Sequence, residues 1–222
     1  MSSVYGGTLS HMHTERARAT LHEWIKTESL RKHCEAVSAC MVYFANRASA
    51  DADLWGAVGL LHDLDFERYP ALPPAGPELT ALSNALVAGE PLPAELPGHP
   101  FYGVAHLREA GWGSDVVRAI LSHADYSGIA PESPLERTLY AVDELSGFVT
   151  AVALVRPDKS VHTVEVPSVK KKLKDKAFAA KVSREGIHHG AEVIGMPLDE
   201  LIAEVIAALR AEAPRLGLGG VA

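Results

Sequence analysis

Apolar residues recur every three to four positions along most of this chain, and that spacing predicts amphipathic helices. A first helix is predicted over residues 14 to 26, and a second is placed to be capped by Ser29. The interior stripe of the second helix begins at a histidine: His33, Val37, Cys40, Met41, Phe44. A third helix starts near Asp51 or Asp53, and its apolar stripe ends in His62. Both histidines are therefore expected to face the interior.

Proline-rich and glycine-rich loops separate the remaining predicted helices. Prolines cluster in residues 70 to 77 and again in residues 89 to 98, and both stretches are expected to be loops over one end of the fold. Ser133, Pro134 and Glu136 form a capping-box pattern, the strongest helix-start signal in the chain. Helices are predicted over residues 78–87, 100–110, 114–125, 134–156, 184–193 and 197–213. The predicted fold class is an all-α, single-domain helical bundle.

The same patterning sets the expected limits of the domain. Residues 1 to 12 are small, polar and aperiodic, and we expect a disordered leader or a cloning remnant there. The helical domain is predicted to cover residues 13 to 214, and residues 215 to 222 are expected to form a flexible tail. The segment VHTVEV, residues 161 to 166, alternates weakly and leaves open a short extended piece without a sheet partner.

Composition restricts the class of protein and its partners. Hydrophobic residues make up 47% and charged residues 22%, as in ordinary globular proteins, and the net charge of -7 argues against binding a nucleic acid polymer. No apolar run approaches the roughly 20 residues of a membrane-spanning helix, so we expect a cytoplasmic protein without membrane contact. Cys34 and Cys40 lie six residues apart in one predicted helix, which separates them too far for a disulfide.

Four short segments place a histidine or an aspartate on, or at the end of, an apolar helical stretch. They are RKHCEAV at His33, LLHDLDF at His62 and Asp63, LSHADY at His123, and YAVDELS at Asp143. A buried carboxylate is costly unless it is paired, hydrogen-bonded or bound to a metal, and the stretches around Asp63 and Asp143 offer no local cation partner. Imidazole and carboxylate are ordinary ligands of Zn, Mn and Fe, and facing helices can bring them to one point. The sequence therefore predicts a shared metal site.

The order His33, then the adjacent pair His62 and Asp63, then Asp143 resembles the signature of the HD-domain superfamily of metal-dependent phosphohydrolases. The resemblance covers about residues 21 to 209. Two later segments also resemble a group of small stand-alone bacterial HD hydrolases: LYAVDELSGFVTAVALVRPDKS and SVKKKLKDKAFAAKVSREGI. The resemblance to the superfamily implies a helical bundle whose four signature residues bind a divalent cation (Mn, Fe, Zn or Mg), with phosphoester hydrolysis as the default activity.

Two more histidines stand between the paired motif and the last aspartate. In some HD proteins such histidines hold a second metal, and by that resemblance His99 and His123 would bind it while Asp63 bridges the two ions. This arrangement is suited to clamping the attacking and leaving oxygens of a phosphoryl group. His106 is the weaker alternative to His99, because it lies two turns further along its helix.

The residues after the paired motif depart from one branch of the superfamily. The chain has LDFE where cyclic-dinucleotide phosphodiesterases carry a glycine and a lysine, so that activity is not expected. Asp65 and Glu67 instead place carboxylates beside the site, where one would orient a ligand histidine or carry a proton to the leaving group. A later basic segment offers Arg156, Lys159 and Lys174 as candidates to bind substrate phosphates.

The expected function is metal-dependent hydrolysis of a phosphoester or phosphoanhydride in a small molecule, such as a nucleotide or a dinucleotide. Asp63, Asp65 and Glu67 are the predicted catalytic residues. Two alternatives stay open: a di-iron oxygenase built on the same ligands, and a non-catalytic module that binds a nucleotide or a metal. A mixed-valent di-iron signal would favour the first, and tight nucleotide binding without turnover would favour the second.

Overall fold

A computed structural model describes residues 12 to 220 of the chain. Within that range the regular elements are all helical, and no β-strand is present. The helices are α1 (Met12–Trp24), α2 (Glu28–Arg47), α3 (Ala52–Leu61), α4 (Pro77–Val87), α5 (Phe101–Glu109), α6 (Ser114–Ser122), α7 (Pro134–Leu154), α8 (Val166–Leu173), α9 (Arg184–Ile194), α10 (Leu198–Ala211) and α11 (Ala213–Leu216). Two short 3-10 turns, Asp125–Ser127 and Val161–Thr163, complete the described elements. The predicted all-α class is confirmed, and a helical bundle fits the arrangement.

Close approach of α2 and α3 sets the position of the paired motif. Ser38 Oγ donates a hydrogen bond of 2.8 Å to the carbonyl of Gly56. A Cβ atom added at Gly59 would lie only 2.7 Å from Ser38 Cα, so the two helices can pack at this distance only because Gly59 has no side chain. The end of α3, where His62 and Asp63 follow, is thereby held against the helix that carries His33.

The central helix α7 packs against α2 on one side and α9 on the other. Its start is as predicted: Ser133 Oγ accepts from the Glu136 N–H, and the Glu136 carboxylate accepts from the Ser133 N–H at 3.2 Å. The helix is buried on several faces, and Leu139, Phe148 and other side chains are fully enclosed. These contacts fix the position of Asp143 between them.

Two helices, α8 and the short α11, are absent from the sequence-based prediction. The weakly alternating segment VHTVEV makes no strand but a 3-10 turn, in which Ser160 Oγ accepts from the His162 N–H at 3.2 Å, and then leads into α8. Pro167 is tolerated in the first turn of that helix, and the lysines of its last turn suit the negative helix C-terminus. The alternating valines are buried by the turn and by α8 rather than by a sheet.

The C-terminal limit of the domain differs from the predicted one. Residues 1 to 11 lie outside the described part, and α1 begins at Met12. Residues 215 to 222 were expected to form a flexible tail, but up to residue 220 this segment packs on the bundle. Leu216 and Leu218 are buried, and the Val161 N–H donates to the Leu218 carbonyl at 2.9 Å. Two apolar side chains in an otherwise glycine-rich stretch are enough to hold it.

Two further expectations concern the cysteines and membranes. Cys34 and Cys40 are both free and buried, as predicted. None of the helices between residues 12 and 220 combines the length and the apolarity needed to cross a bilayer.

Candidate metal centre

Two of the candidate ligands occupy the last position of a helix, where backbone carbonyls have no intrahelical partner. His62 is the C-cap of α3 and His123 is the C-cap of α6. In each case Nδ1 lies at hydrogen-bond distance from the carbonyl three residues earlier, Gly59 at 2.8 Å for His62 and Ile120 for His123. Donation from Nδ1 satisfies a free carbonyl and leaves Nε2 directed away from the helix as the available metal ligand.

The first cluster joins α2, the end of α3 and α7. His33 Nε2 lies 3.2 Å from His62 Nε2 and 3.0 Å from Asp143 Oδ1. His62 Nε2 is 3.3 Å from the same Asp143 oxygen, and Asp63 Oδ2 is 3.6 Å from His62 Nε2 and 3.8 Å from His33 Nε2. Four side chains from three helical elements therefore direct their donor atoms at one point, as the sequence predicts.

The second cluster uses the other oxygen of the same aspartate. His99 Nε2 and His123 Nε2 lie 3.3 Å apart, and they are 3.4 Å and 3.7 Å from Asp63 Oδ1. Asp63 thus directs Oδ2 at the His33 cluster and Oδ1 at the His99 cluster. Each oxygen of Asp63 therefore faces a different pair of histidines.

The spacing of these donors fits divalent cations. Bonds of about 2.1 Å place two ligand atoms roughly 3.0 Å apart at octahedral angles and roughly 3.4 Å apart at tetrahedral angles. The distances between neighbouring donors in the two clusters run from 3.0 to 3.8 Å. Two groups, His33 with His62 and Asp63, and Asp63 with His99 and His123, satisfy the spacing of a metal site. The residues fit a metal, and the set of nitrogen and oxygen donors does not distinguish Mn, Fe and Zn.

Electrostatics also favour a cation at this point. Burial opposes a charge on His62, but Asp63 and Asp143 outweigh it and raise the pKa of His62 to about 9. Burial likewise opposes ionisation of Asp63 and Asp143, but the charge of His62 lowers the pKa of both carboxyls. Among residues 12 to 220, no lysine or arginine forms an ion pair with Asp63, Asp65 or Asp143. The negative charge of the cluster is therefore left for histidines or a metal to balance.

A buried carboxylate orients His99. Asp65 is fully buried, and its Oδ1 lies 2.6 Å from His99 Nδ1 while its Oδ2 accepts from the Gly103 N–H at 2.7 Å. The Tyr126 hydroxyl donates to the His99 carbonyl at 3.0 Å. Asp65 was predicted to be catalytic or to orient a ligand histidine, and its contact with His99 Nδ1 is the one that the second role requires.

Glu67, the other predicted catalytic carboxylate, does not reach the centre. Its oxygens accept from the backbone N–H groups of Lys26, at 3.1 Å, and Thr27, at 2.8 Å, where α2 begins. The Thr27 hydrogen bonds lower the pKa of Glu67. It satisfies donors at a helix N-terminus, which explains a carboxylate here without catalysis. His106 is also remote from the cluster, because its ring packs on Trp24 at 4.5 Å between centroids.

The three predicted phosphate-binding residues lie elsewhere. α7 ends at Leu154, roughly 16 Å along the helix axis from Asp143, and Arg156 lies beyond that end, hydrogen-bonded to Thr163 Oγ1 at 2.8 Å. The Lys159 N–H donates to the Arg156 carbonyl, so Lys159 shares that position. Lys174 lines a surface groove between α8 and Asp199. None of the three touches the His and Asp clusters.

Sequence reasoning missed some groups of the centre. The carbonyls of Gly59 and Ile120 orient two ligands, but a backbone acceptor leaves no trace in a side-chain pattern. Tyr126 and Glu144 each adjoin a motif that was recognised. Burial, followed by the charge of Asp143, raises the pKa of Glu144 to about 7, and its carboxylate accepts from the Ser183 N–H at 3.2 Å. The signal for these two was their position beside His123 and Asp143.

Comparisons with protein-family models, with curated proteins and with solved structures give no match to this chain. The resemblance to the HD-domain superfamily therefore stays a prediction that rests on the signature residues.

Proposed function

We propose that this chain is a metal-dependent phosphohydrolase of the HD-domain type, with a dinuclear centre. The observation that carries the proposal is the position of Asp63, whose two oxygens face two separate histidine clusters at 3.4 to 3.8 Å. A shared carboxylate of this kind suits two cations a few ångströms apart, the arrangement used for in-line displacement at phosphorus. The His33, His62, Asp63 and Asp143 order of the HD signature supports the same assignment.

The proposed reaction consumes one water for each ester bond. The water oxygen forms a bond to phosphorus, the ester P–O bond breaks, and the leaving oxygen keeps that electron pair and gains a proton derived from the water. Bound divalent cations supply Lewis-acid chemistry at such a site, since they lower the pKa of water and neutralise charge on the phosphoryl oxygens.

The chain's own residues hold and orient these groups. His33, His62 and Asp143 would hold one cation, His99 and His123 the other, and Asp63 would be shared. Asp65 keeps the His99 ring in place through the 2.6 Å contact at Nδ1, which leaves Nε2 free to bind. The apolar residues around the cluster, Leu61 and Leu64 among them, are fully buried and exclude water from behind it.

Metal analysis of the native protein and of two variants tests the dinuclear centre. We expect two metal equivalents in the native chain and loss of one in His99→Ala and in His123→Ala. His106→Ala is the matched control, since that ring packs on Trp24 outside the cluster, and it should keep both. Unchanged metal content in the first two variants would remove the second site from the proposal.

Turnover tests the reaction itself. The metal-loaded protein should release inorganic phosphate or a nucleotide from at least one member of a panel of nucleotides, dinucleotide polyphosphates and simple phosphoesters. No turnover across the panel with Mn, Fe, Zn and Mg contradicts hydrolysis. A mixed-valent di-iron signal with oxygen-dependent loss of an organic substrate would support the oxygenase alternative instead.

A further inference from the structure

A cavity of about 310 Å³ lies beside the first cluster, between α2, α7 and the C-terminal segment at residues 216 to 218. Most of its wall is small or aliphatic, with Ala36 from α2, Ala151 and Leu154 from α7, and Leu216 and Leu218. Its volume is at the lower end of the range for small-molecule pockets, so it suits one ring system and is too small for a dinucleotide.

His33 belongs to both the cavity and the metal centre. Its Nε2 lies 3.0 Å from Asp143 Oδ1, whereas its Nδ1 faces Gly147, where an added Cβ would lie 3.5 Å away. Gly147 lines the cavity, as does His33 itself. The two nitrogens of one imidazole ring thus face the proposed site of the phosphate and the cavity next to it.

The Nδ1 atom of His33 also differs from those of the other three histidines. In His62, His99 and His123 this atom has a carbonyl or carboxylate acceptor. Among residues 12 to 220 the polar contacts of the His33 ring are at Nε2, with His62, Asp63 and Asp143, and Nδ1 has no acceptor. Metal-binding histidines almost always donate the other ring N–H to an acceptor. A molecule in the cavity can supply the hydrogen-bond acceptor that the chain does not provide for His33 Nδ1–H.

Charge in the cavity argues for a neutral occupant. Apart from His33, the only ionisable side chain in the wall is Lys32, which is 59% exposed and paired with Glu28 at 2.7 Å. Arg156, Lys159 and Lys174 do not line it. The negative charge of a polyphosphate chain would have almost no cation to balance it in this cavity. An apolar ring, in contrast, would displace water from the aliphatic side chains of the wall.

We propose that this cavity receives the organic group of a phosphate monoester, a neutral ring system with hydrogen-bonding groups, while the phosphate occupies the adjacent His and Asp centre. The proposal rests on the function proposed above and adds a substrate class to it. The ring accepts a hydrogen bond from His33 Nδ1–H. Dinucleotides and polyphosphates are then poor substrates.

Steady-state kinetics with paired substrates tests this assignment. Uridine 5′-monophosphate and benzyl phosphate carry a ring, methyl phosphate does not, and all three release an alcohol of similar acidity. For the native metal-loaded protein we expect kcat/KM to be at least tenfold higher with one of the ring esters than with methyl phosphate. Equal values for all three overturn the cavity assignment and leave the proposed hydrolysis standing.

One variant fills the cavity. Ala151→Leu places a larger side chain inside it, and we expect the ring-over-methyl preference to fall by about tenfold or more. Ala203→Leu, at an exposed position of α10, is the control and should leave this preference unchanged.

Direct binding separates failure of the cavity from failure of the proposed function. If the native protein hydrolyses none of the three esters, uridine and benzyl alcohol are titrated into native protein and into Ala151→Leu, with ligand-observed NMR as the measurement. Binding that Ala151→Leu weakens at least tenfold keeps the cavity assignment while hydrolysis is rejected. No binding of either compound, or equal binding to both proteins, rejects the cavity assignment as well.

Discussion

Replacing Asp65 with alanine is the sharpest perturbation of the proposed second metal site. Asp65 touches no predicted metal position itself, yet its two oxygens hold His99 Nδ1 at 2.6 Å and the Gly103 N–H at 2.7 Å. Without the carboxylate, the His99 ring can rotate and change its tautomer, so Nε2 is no longer fixed 3.4 Å from Asp63 Oδ1. The variant therefore tests whether the two clusters really are metal sites of different construction.

The expected magnitude follows from these two contacts. Loss of an outer carboxylate that orients a ligand histidine costs 10- to 100-fold in metal affinity, or about 1.4 to 2.7 kcal/mol at the second site. The buried Gly103 N–H loses its acceptor, which costs about 1 to 3 kcal/mol of unfolding free energy. Asp65→Asn keeps an acceptor and the volume but not the charge, so we expect an intermediate loss of affinity.

Calorimetric titration of metal-free protein with Mn²⁺ or Zn²⁺ measures both sites. The native chain should show two binding events, and Asp65→Ala should weaken one by 10- to 100-fold while the other changes by less than about threefold. Glu67→Gln is the matched control two residues away, since its carboxylate accepts from Lys26 and Thr27 and not from a ligand. Equal loss in both variants, or no loss in Asp65→Ala, would refute the reasoning.

Two other predictions concern the scaffold. Glu35→Gln removes the carboxylate that Arg18 and Arg215 share. Burial disfavours the charge of Glu35, but the two arginines outweigh burial and lower the pKa of the carboxyl. The variant should therefore lose about 1 kcal/mol of unfolding free energy above pH 5. That loss should shrink as the pH falls through the lowered pKa, in denaturant titrations repeated across pH 2.5 to 7. Gly59→Ala adds a Cβ 2.7 Å from Ser38 Cα, and we expect a net destabilisation of at least about 1 kcal/mol in urea unfolding.

The substitutions Glu35→Gln and Gly59→Ala each have a matched control elsewhere in the chain. Glu28→Gln breaks an exposed pair with Lys32 and should show no comparable dependence on pH. Gly147→Ala is the same substitution in the middle of a helix, where the nearest atom is 3.5 Å from the added Cβ. It should stabilise the fold by about 0.5 to 1 kcal/mol through helix propensity. A pH-independent loss in Glu35→Gln, or stabilisation by Gly59→Ala, would contradict the packing described above.

Helices with strong local signals could be predicted from the sequence, and those without them could not. The start of α7 at Pro134 was predicted correctly, because the Ser133 and Glu136 capping box is a local chemical device. α8 was missed because its valines alternate like a strand and because Pro167 stands near its start. The C-terminal segment was taken for a tail because the burial of Leu218 depends on a distant contact with Val161.

The convergence of His33, His62, Asp63 and Asp143 could be predicted, whereas the positions of their neighbours could not. A histidine or an aspartate in an apolar stripe is anomalous in sequence, so His33 and Asp143 stand out without a structure. Asp65 and Glu67 look equivalent in LDFE, and the chain there consists of turns, which have no fixed periodicity. Only the path of the turns after α3 sends Asp65 into the core and Glu67 to the start of α2.

The two clusters also differ in what holds their ligands. His33 and Asp143 lie within long helices that bury Cys34 and Val142 in the core, so their positions are fixed by the same packing that stabilises the bundle. His99 lies before the first residue of α5, in a loop, and His123 is the C-cap of α6, where helices fray. Only His62 in the first cluster ends a helix in the same way, whereas both histidines of the second cluster depend on hydrogen bonds for their orientation. This is why removing the single carboxylate of Asp65 should separate the affinities of two sites that share Asp63.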